Sequence, residues 1–156
     1  MEGKSIPTFE CRGSDDRVIQ SSDLLGKKHV IYFYPRDFTS GCTTEADEFT
    51  KIHQKFVDAD IRIIGVSPDT VESHVKFCNK MSIPYLLLAD IEHTLAKAFG
   101  VWGQKKFMGR EYMGVKRSTF LVDESGNIFK AYKNVRPKGH AQQVLDTFID
   151  MSQKKD

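Results

Sequence analysis

The chain has 156 residues, 40% of them hydrophobic and 11% aromatic, which suits one globular domain with a sizeable core. Lysine plus arginine number 23 against 21 acids, so the formal charge of +2 gives no electrostatic case for a nucleic-acid or membrane partner, and the short basic tail "QKKD" does not alter that. No apolar run approaches the roughly 20 residues that span a bilayer, and "MEGKSIPTFE" lacks the apolar core of a signal peptide, so the expectation is one domain over 1–156 in the cytoplasm.

At the front, "IPTFEC" and "RVIQ" flank the turn segment "RGSDD" and read as a small hairpin. The runs "HVIYFY" (29–34) and "IRIIGVS" (61–67) are apolar, β-branched and bounded by turn residues, the mark of buried strands. Between them Ala46, Phe49, Ile52 and Phe56 recur at three- and four-residue steps, the spacing of one helical face, which makes a β-α-β unit. A second helix is predicted over about 70–82 with Val71, Val75 and Cys78 on its inward stripe, followed by a strand "YLLLA" (85–89) and a short helix through "EHTLAKAFG". "RSTFLVD" (117–123) and "IFKAYK" (128–133) flank "ESGN", whose Gly126-Asn127 pair suits a tight reversal, so these form a hairpin. A last helix at about 139–152 turns Val144, Leu145, Phe148 and Met151 inward. A β-α-β half followed by a β-β-α half is the plan of an α/β, thioredoxin-like fold: a central mixed sheet flanked by helices, with an N-terminal β-hairpin.

The three cysteines, Cys11, Cys42 and Cys78, are an odd number without tight spacing, which argues against a secreted disulfide framework and a paired zinc motif. Cys42 falls where a strand's carboxyl end turns into a helix, the place in an α/β sheet where backbone N–H groups and the helix dipole converge on a ligand. A thiol near a helix N-terminus has its thiolate stabilised, so the position predicts an activated nucleophile. A thiol-disulfide exchanger would carry a second cysteine at the start of "TSGC", but Thr39 stands there. Its hydroxyl suits a small polar substrate with an O–H group, and Pro35, lacking an N–H, would pack over the loop and limit water at the sulfur. Taken singly, Thr39 also reads as a turn cap and Pro35 as a strand end.

Taken together, Pro35, Thr39 and Cys42 meet the pattern Pro-x-x-x-Thr-x-x-Cys and resemble the peroxiredoxin signature. The resemblance runs along nearly the whole chain: "VIYFYPRDFTSGCTTEADEF", "IGVSPDTVESHVKF", "FGVWGQKKFMG" and "GVKRSTFLVDESGNI" are similar to the peroxiredoxin Q subfamily, also called bacterioferritin comigratory protein. It implies a thiol-dependent peroxidase whose thiolate attacks the distal oxygen of hydrogen peroxide or an organic hydroperoxide, leaving a sulfenic acid. It also implies that Arg117, ahead of Arg36 and Arg110, stabilises thiolate and transition state. Glu45 is similar to a family glutamate that orients this arginine, and reads equally as a first-turn acid complementing the helix dipole.

The sulfenic acid needs a second thiol. Many members of the subfamily carry it five residues after the nucleophile, where this chain has Asp47; Cys78 lies where a second group carries it. Cys78 is thus the candidate resolving cysteine, with a buried structural thiol on the Val71-Val75-Cys78 stripe as the competing reading, and Cys11 reads as a packing residue. Because the two thiols sit on separate helices, a Cys42–Cys78 disulfide would require local unwinding. The resemblance further implies recycling by thioredoxin or a similar dithiol reductant, no cofactor, and a monomer.

His74 and Cys78 are four apart and could share a metal ion, but the other histidines, His29, His53, His93 and His140, are scattered, so no metal is expected. Trp102 is read as core or pocket wall. Two other functions stand beside the peroxidase: a dithiol protein oxidoreductase, against which Thr39 speaks, and a non-catalytic peroxide sensor or chaperone.

Overall fold

The computed structural model describes residues 1–154. Its sheet has five strands in the order β5-β4-β3-β8-β9. The central strand β3 (Lys28–Phe33) pairs in parallel with β4 (Ile61–Ser67), which pairs in parallel with β5 (Leu86–Ala89). On its other side β3 pairs antiparallel with β8 (Ser118–Val122), and β8 with β9 (Ile128–Tyr132). The expected N-terminal hairpin is present as β1 (Glu10–Arg12) and β2 (Val18–Gln20). Together these elements form an α/β thioredoxin-like fold with a mixed five-stranded sheet.

Side chains alternate across a strand, so β3 supplies both cores. Val30, Tyr32 and the following Tyr34 enter one cluster with Ala46, Phe49, Phe56, Phe77 and Val144, whereas Ile31 and Phe33 enter the other with Phe9, Leu95, Phe99 and Phe120. The first cluster is where the cysteine-bearing helix packs. Phe49 is fully buried and stacks on Tyr32 with ring centroids 4.9 Å apart. Phe49→Ala should destabilise the chain by about 3–5 kcal/mol, the cost of a cavity the size of a phenyl ring. A urea midpoint within error of the parent's would contradict that.

Three expectations need correction. The predicted helical face over Ala46, Phe49, Ile52 and Phe56 is split between α1 (Ser40–Lys51) and α2 (His53–Asp58), because Ile52 has left helical geometry at φ −109 and ψ 15. Its side chain still packs against the core in part. In α3 (Val71–Met81) the fully inward residues are His74 and Phe77; Val75, expected inward, is 38% exposed, while Cys78 is half-buried and packs against the core in part. A histidine took the place of a hydrophobe because its polar atoms are paired inside. Finally, Met151 in α5 (His140–Lys154) is only half-buried, while Val144, Leu145 and Phe148 are core as expected.

One element went unread. Residues Trp102–Phe107 (β6) and Arg110–Val115 (β7) form a separate antiparallel hairpin after the short helix α4 (Thr94–Ala98). Its turn is Met108-Gly109, both at positive φ (50° and 79°), the conformation a two-residue hairpin loop demands. Trp102 lies on this hairpin, half-buried, and stacks on His93 at 3.7 Å. Among the described residues no helix is long and apolar enough to cross a membrane.

Candidate active site

The sheet register decides what meets Cys42. Phe33 at the end of β3 pairs with Ser118 at the start of β8, so Arg117, one residue earlier, is placed beside the turn that leaves β3. The chain passes there through Tyr34, half-buried Pro35 and the loop to Thr39, whose extended backbone (φ −81, ψ 154) precedes α1. Thr39 does not cap the helix with its side chain. Its hydroxyl donates instead to the Arg36 carbonyl at 2.9 Å, leaving the oxygen lone pairs open as acceptors.

Cys42 is the third residue of α1 and 1% exposed. Arg117 Nη2 donates to Cys42 Sγ at 3.3 Å, and Nη1 donates to Glu45 Oε1 at 2.8 Å. Cys42 and Glu45 are three apart, hence on one helical face, so a single planar guanidinium bridges them. Gly41 makes room for it: a Cβ there would stand 3.0 Å from Arg117 Nη2. Burial works against the Arg117 charge, but Glu45 and Cys42 outweigh it and hold the guanidinium more firmly protonated than usual. Burial pushes the Glu45 carboxyl up to about 7, with Arg117 drawing it back, and Glu45 Oε2 has no hydrogen-bond partner. Arg36 and Arg110 are both exposed and make no such contact.

The unread hairpin adds a further cation. Lys105 Nζ donates to the Val115 carbonyl at 3.0 Å, and its charge is felt at Arg117 and Cys42; burial, followed by repulsion from Arg117, lowers its proton affinity. The signal for it in the sequence is the turn pair Met108-Gly109.

The other two thiols are held differently. Cys11 is buried and donates to the Ala89 carbonyl at 3.4 Å; burial, and then the charge of Asp90, pushes it up to about 11. Cys78 is raised by burial, with the Ser14 hydroxyl lowering it and Asp37 raising it again. All three cysteines are free thiols.

Beneath the loop lies a polar cluster that sequence reasoning missed. Asp37 is buried and accepts from Tyr34 Oη (2.6 Å), Ser73 Oγ (2.8 Å) and His74 Nδ1 (2.8 Å), and its backbone N–H donates to Asp69 (2.8 Å). Asp37, Asp69 and His74 present ligand-type atoms within 4.8 Å of one another, but the Asp37 and His74 atoms are already committed to each other and to neighbouring groups. The acid in "PRDFT" was the available sign, since a buried carboxylate needs donors.

A thioredoxin-like sheet that sets a buried cysteine against an arginine–glutamate pair defines a thiol-based redox enzyme. Residues 3–131 match the AhpC/TSA family. The chain is 49% identical to Peroxiredoxin Bcp of Bacillus subtilis over 152 residues, 97% of each chain, and 32% identical to Peroxiredoxin Bcp of Escherichia coli over 144 residues, 92% of each. Solved structures of Xanthomonas campestris bacterioferritin comigratory protein superpose with a TM-score of 0.87 at 34% identity, covering 92% of this chain and 91% of that one. The chain therefore belongs to the AhpC/TSA family, within its peroxiredoxin Bcp (peroxiredoxin Q) subfamily, and is a thiol peroxidase.

Proposed function

We propose that Cys42 is the peroxidatic nucleophile of an enzyme that reduces hydrogen peroxide and organic hydroperoxides. The observation that carries the reading is the Arg117 guanidinium, donating at once to Cys42 Sγ and to Glu45. The Cys42 thiolate attacks the distal, hydroxyl-bearing oxygen of the peroxide; an S–O bond forms, the O–O bond breaks, and its electron pair leaves with the proximal oxygen as alkoxide or hydroxide. That oxygen takes a proton to become alcohol or water. Negative charge moves from sulfur to oxygen during the step, and a fixed guanidinium can serve both. Thr39, whose hydroxyl donates to the Arg36 backbone carbonyl, accepts the peroxide O–H and aims the distal oxygen. Pro35 covers the loop without adding a competing N–H. Glu45 holds Arg117 across the helix face. The Xanthomonas campestris relative is described in terms of alkyl peroxide reduction activity, and this supports organic hydroperoxides as substrates here.

Cys78 then resolves the sulfenic acid: its sulfur attacks Cys42 Sγ, an S–S bond forms, and the hydroxyl leaves as water after protonation. In support, Cys42 and Cys78 are as far apart along the chain as the two cysteines replaced by serine in solved mutants of Xanthomonas campestris peroxiredoxin Q. Thioredoxin or a similar dithiol returns the disulfide to two thiols, and the cycle closes within a single chain acting as a monomer.

Cys78→Ser tests this. The variant should consume one equivalent of peroxide, stop at the sulfenic acid, pass more readily to sulfinic acid, and lose thioredoxin-linked turnover. Mass spectrometry of the oxidised parent should yield a Cys42–Cys78 linked peptide. Unchanged turnover in the variant, with no linked peptide in the parent, would leave Cys78 a structural residue and the enzyme a one-cysteine peroxidase.

A further inference from the structure

The Asp37 cluster joins two parts of the molecule that resolution must separate. Asp37 lies in the loop that carries Pro35 and Thr39; Ser73 and His74 lie on α3, and Cys78 is one helical turn beyond His74. His74 is wholly buried, and its two ring nitrogens face two acceptors: Nδ1 meets Asp37 Oδ2 at 2.8 Å, and Nε2 meets the Leu88 carbonyl of β5 at 2.9 Å. A carbonyl only accepts. Asp37 also takes hydrogen bonds from Tyr34 and Ser73. Nε2 therefore donates to the Leu88 carbonyl, and Nδ1 and Asp37 Oδ2 share one proton, so the His74 ring ties α3 to β5 on one side and to the loop on the other.

The same two segments touch a second time. Phe38 holds a left-handed backbone (φ 66), rare for an aromatic residue, and packs edge-on against Phe77 of α3 at 5.1 Å. The loop conformation that precedes Cys42 and the folded state of α3 therefore support each other.

We propose that His74 is a positioning residue of the catalytic cycle: its buried hydrogen bond with Asp37 latches α3 to the peroxide-binding loop and sets how soon Cys78 is released to attack the sulfenic acid. The proposal rests on the reading of Cys78 as the resolving thiol. While the latch is closed, Cys78 is kept from reacting in two ways. It is held on an intact helix, and burial together with the nearby Asp37 charge keeps it a neutral thiol, the Ser14 hydroxyl opposing them. Opening the latch removes both restraints, because unwound chain brings the sulfur to water, where it ionises more easily. The other titratable groups around the pair are Tyr34, which donates to Asp37, and Asp69, which accepts from the Asp37 backbone and from Ser67. The latch lengthens the life of the sulfenic acid, and with it the exposure of Cys42 to a second peroxide.

Two variants and one spectrum test the latch. His74→Gln removes the ring that bridges Asp37 and Leu88, and Ser73→Ala removes one hydrogen bond to Asp37 at a half-buried position where folding is not at stake. In stopped-flow experiments the peroxide step of Ser73→Ala should stay within about twofold of the parent, since the His74–Asp37 hydrogen bond and the Phe38–Phe77 contact still hold the loop. Disulfide formation should accelerate about ten- to a hundredfold in His74→Gln, the range of a coupling between two sites, and by less in Ser73→Ala. Sulfinic acid at high peroxide should fall in the same order. Nitrogen-15 spectra of the reduced parent should show both His74 ring nitrogens hydrogen-bonded, and the Cys42–Cys78 disulfide form should lose that signature. Unchanged disulfide formation in both variants, or His74 ring signals that are the same in the reduced and disulfide forms, overturns the latch. A parent that forms no Cys42–Cys78 disulfide overturns the resolving assignment itself, which is a separate result.

Discussion

Cys42→Ser should bring peroxide turnover down to background, a loss on the order of a millionfold, the scale met when an enzyme loses its nucleophile. A serine hydroxyl is a far weaker acid than a thiol and stays protonated at neutral pH, and its oxygen is a poorer nucleophile towards peroxide than sulfur. The other thiols do not substitute. Cys11 is pushed up to about 11 by burial and by Asp90, and Cys78 is raised by burial on its helix. Neither touches Arg117, whose Nη2 reaches Cys42 Sγ at 3.3 Å. The variant should fold as the parent does, because serine is close to isosteric with cysteine. Its circular dichroism should match, and peroxide should leave no sulfenic acid that a dimedone-type probe can trap. Residual thioredoxin-linked turnover above a few per cent in a correctly folded Cys42→Ser chain would place the nucleophile elsewhere.

What could be read beforehand, and what could not, follows from how far apart the interacting residues lie. The strands of "HVIYFY" and "IRIIGVS" and the turn at "ESGN" are written in local pattern, because burial on both faces demands unbroken apolar runs and a tight reversal demands glycine. The pairing of Arg117 with Glu45 joins positions far apart in the chain; it came from likeness to a family, not from periodicity. His74 was misplaced for a related reason. An inward stripe is normally recognised by hydrophobes, and Val75 offers one at the right spacing, while the true inward residue is a histidine whose ring nitrogens are paired with Asp37 from a distant loop and with the Leu88 carbonyl. The β6–β7 hairpin failed differently: its strands are largely exposed, so neither alternation of burial nor an apolar run marked them, and only Met108-Gly109 betrayed the turn. The same hairpin brings Lys105 towards Cys42. Elements stabilised by one buried face are legible; contacts made by charge between remote segments are not.

Arg117→Lys should lower the rate of peroxide attack by roughly a hundred- to a thousandfold, comparable to removing one donor from a preorganised anion site. The charge survives in this variant, so the loss reports geometry. Guanidinium offers one N–H to Glu45 Oε1 at 2.8 Å and another to Cys42 Sγ at 3.3 Å from a single rigid plane, and an ammonium on a flexible stem cannot hold both directions at once. The effect should fall on the second-order rate constant for peroxide and leave disulfide formation by Cys78 unchanged. Glu45→Gln separates orientation from charge. The amide oxygen can still accept from Arg117, so the rate should fall less than in Arg117→Lys. Stability gives a second readout with a definite sign. Burial raises the Glu45 carboxyl from 4.5 to about 7, with Arg117 opposing, so between those values the folded chain holds a proton that the unfolded chain has released. The stabilisation from that proton is fully present below the unfolded value and is lost as pH rises through about 7, because an ionised Glu45 must then keep its unpartnered Oε2 buried. Glu45→Gln should remove this part of the decline, giving a flatter stability profile between about pH 5 and 8 than the parent. Equal slopes in parent and variant would show that Glu45 is ionised throughout and that Arg117 overcomes its burial; equal peroxide rates in Arg117→Lys and the parent would show that another donor, such as Lys105 of the hairpin, carries the developing charge.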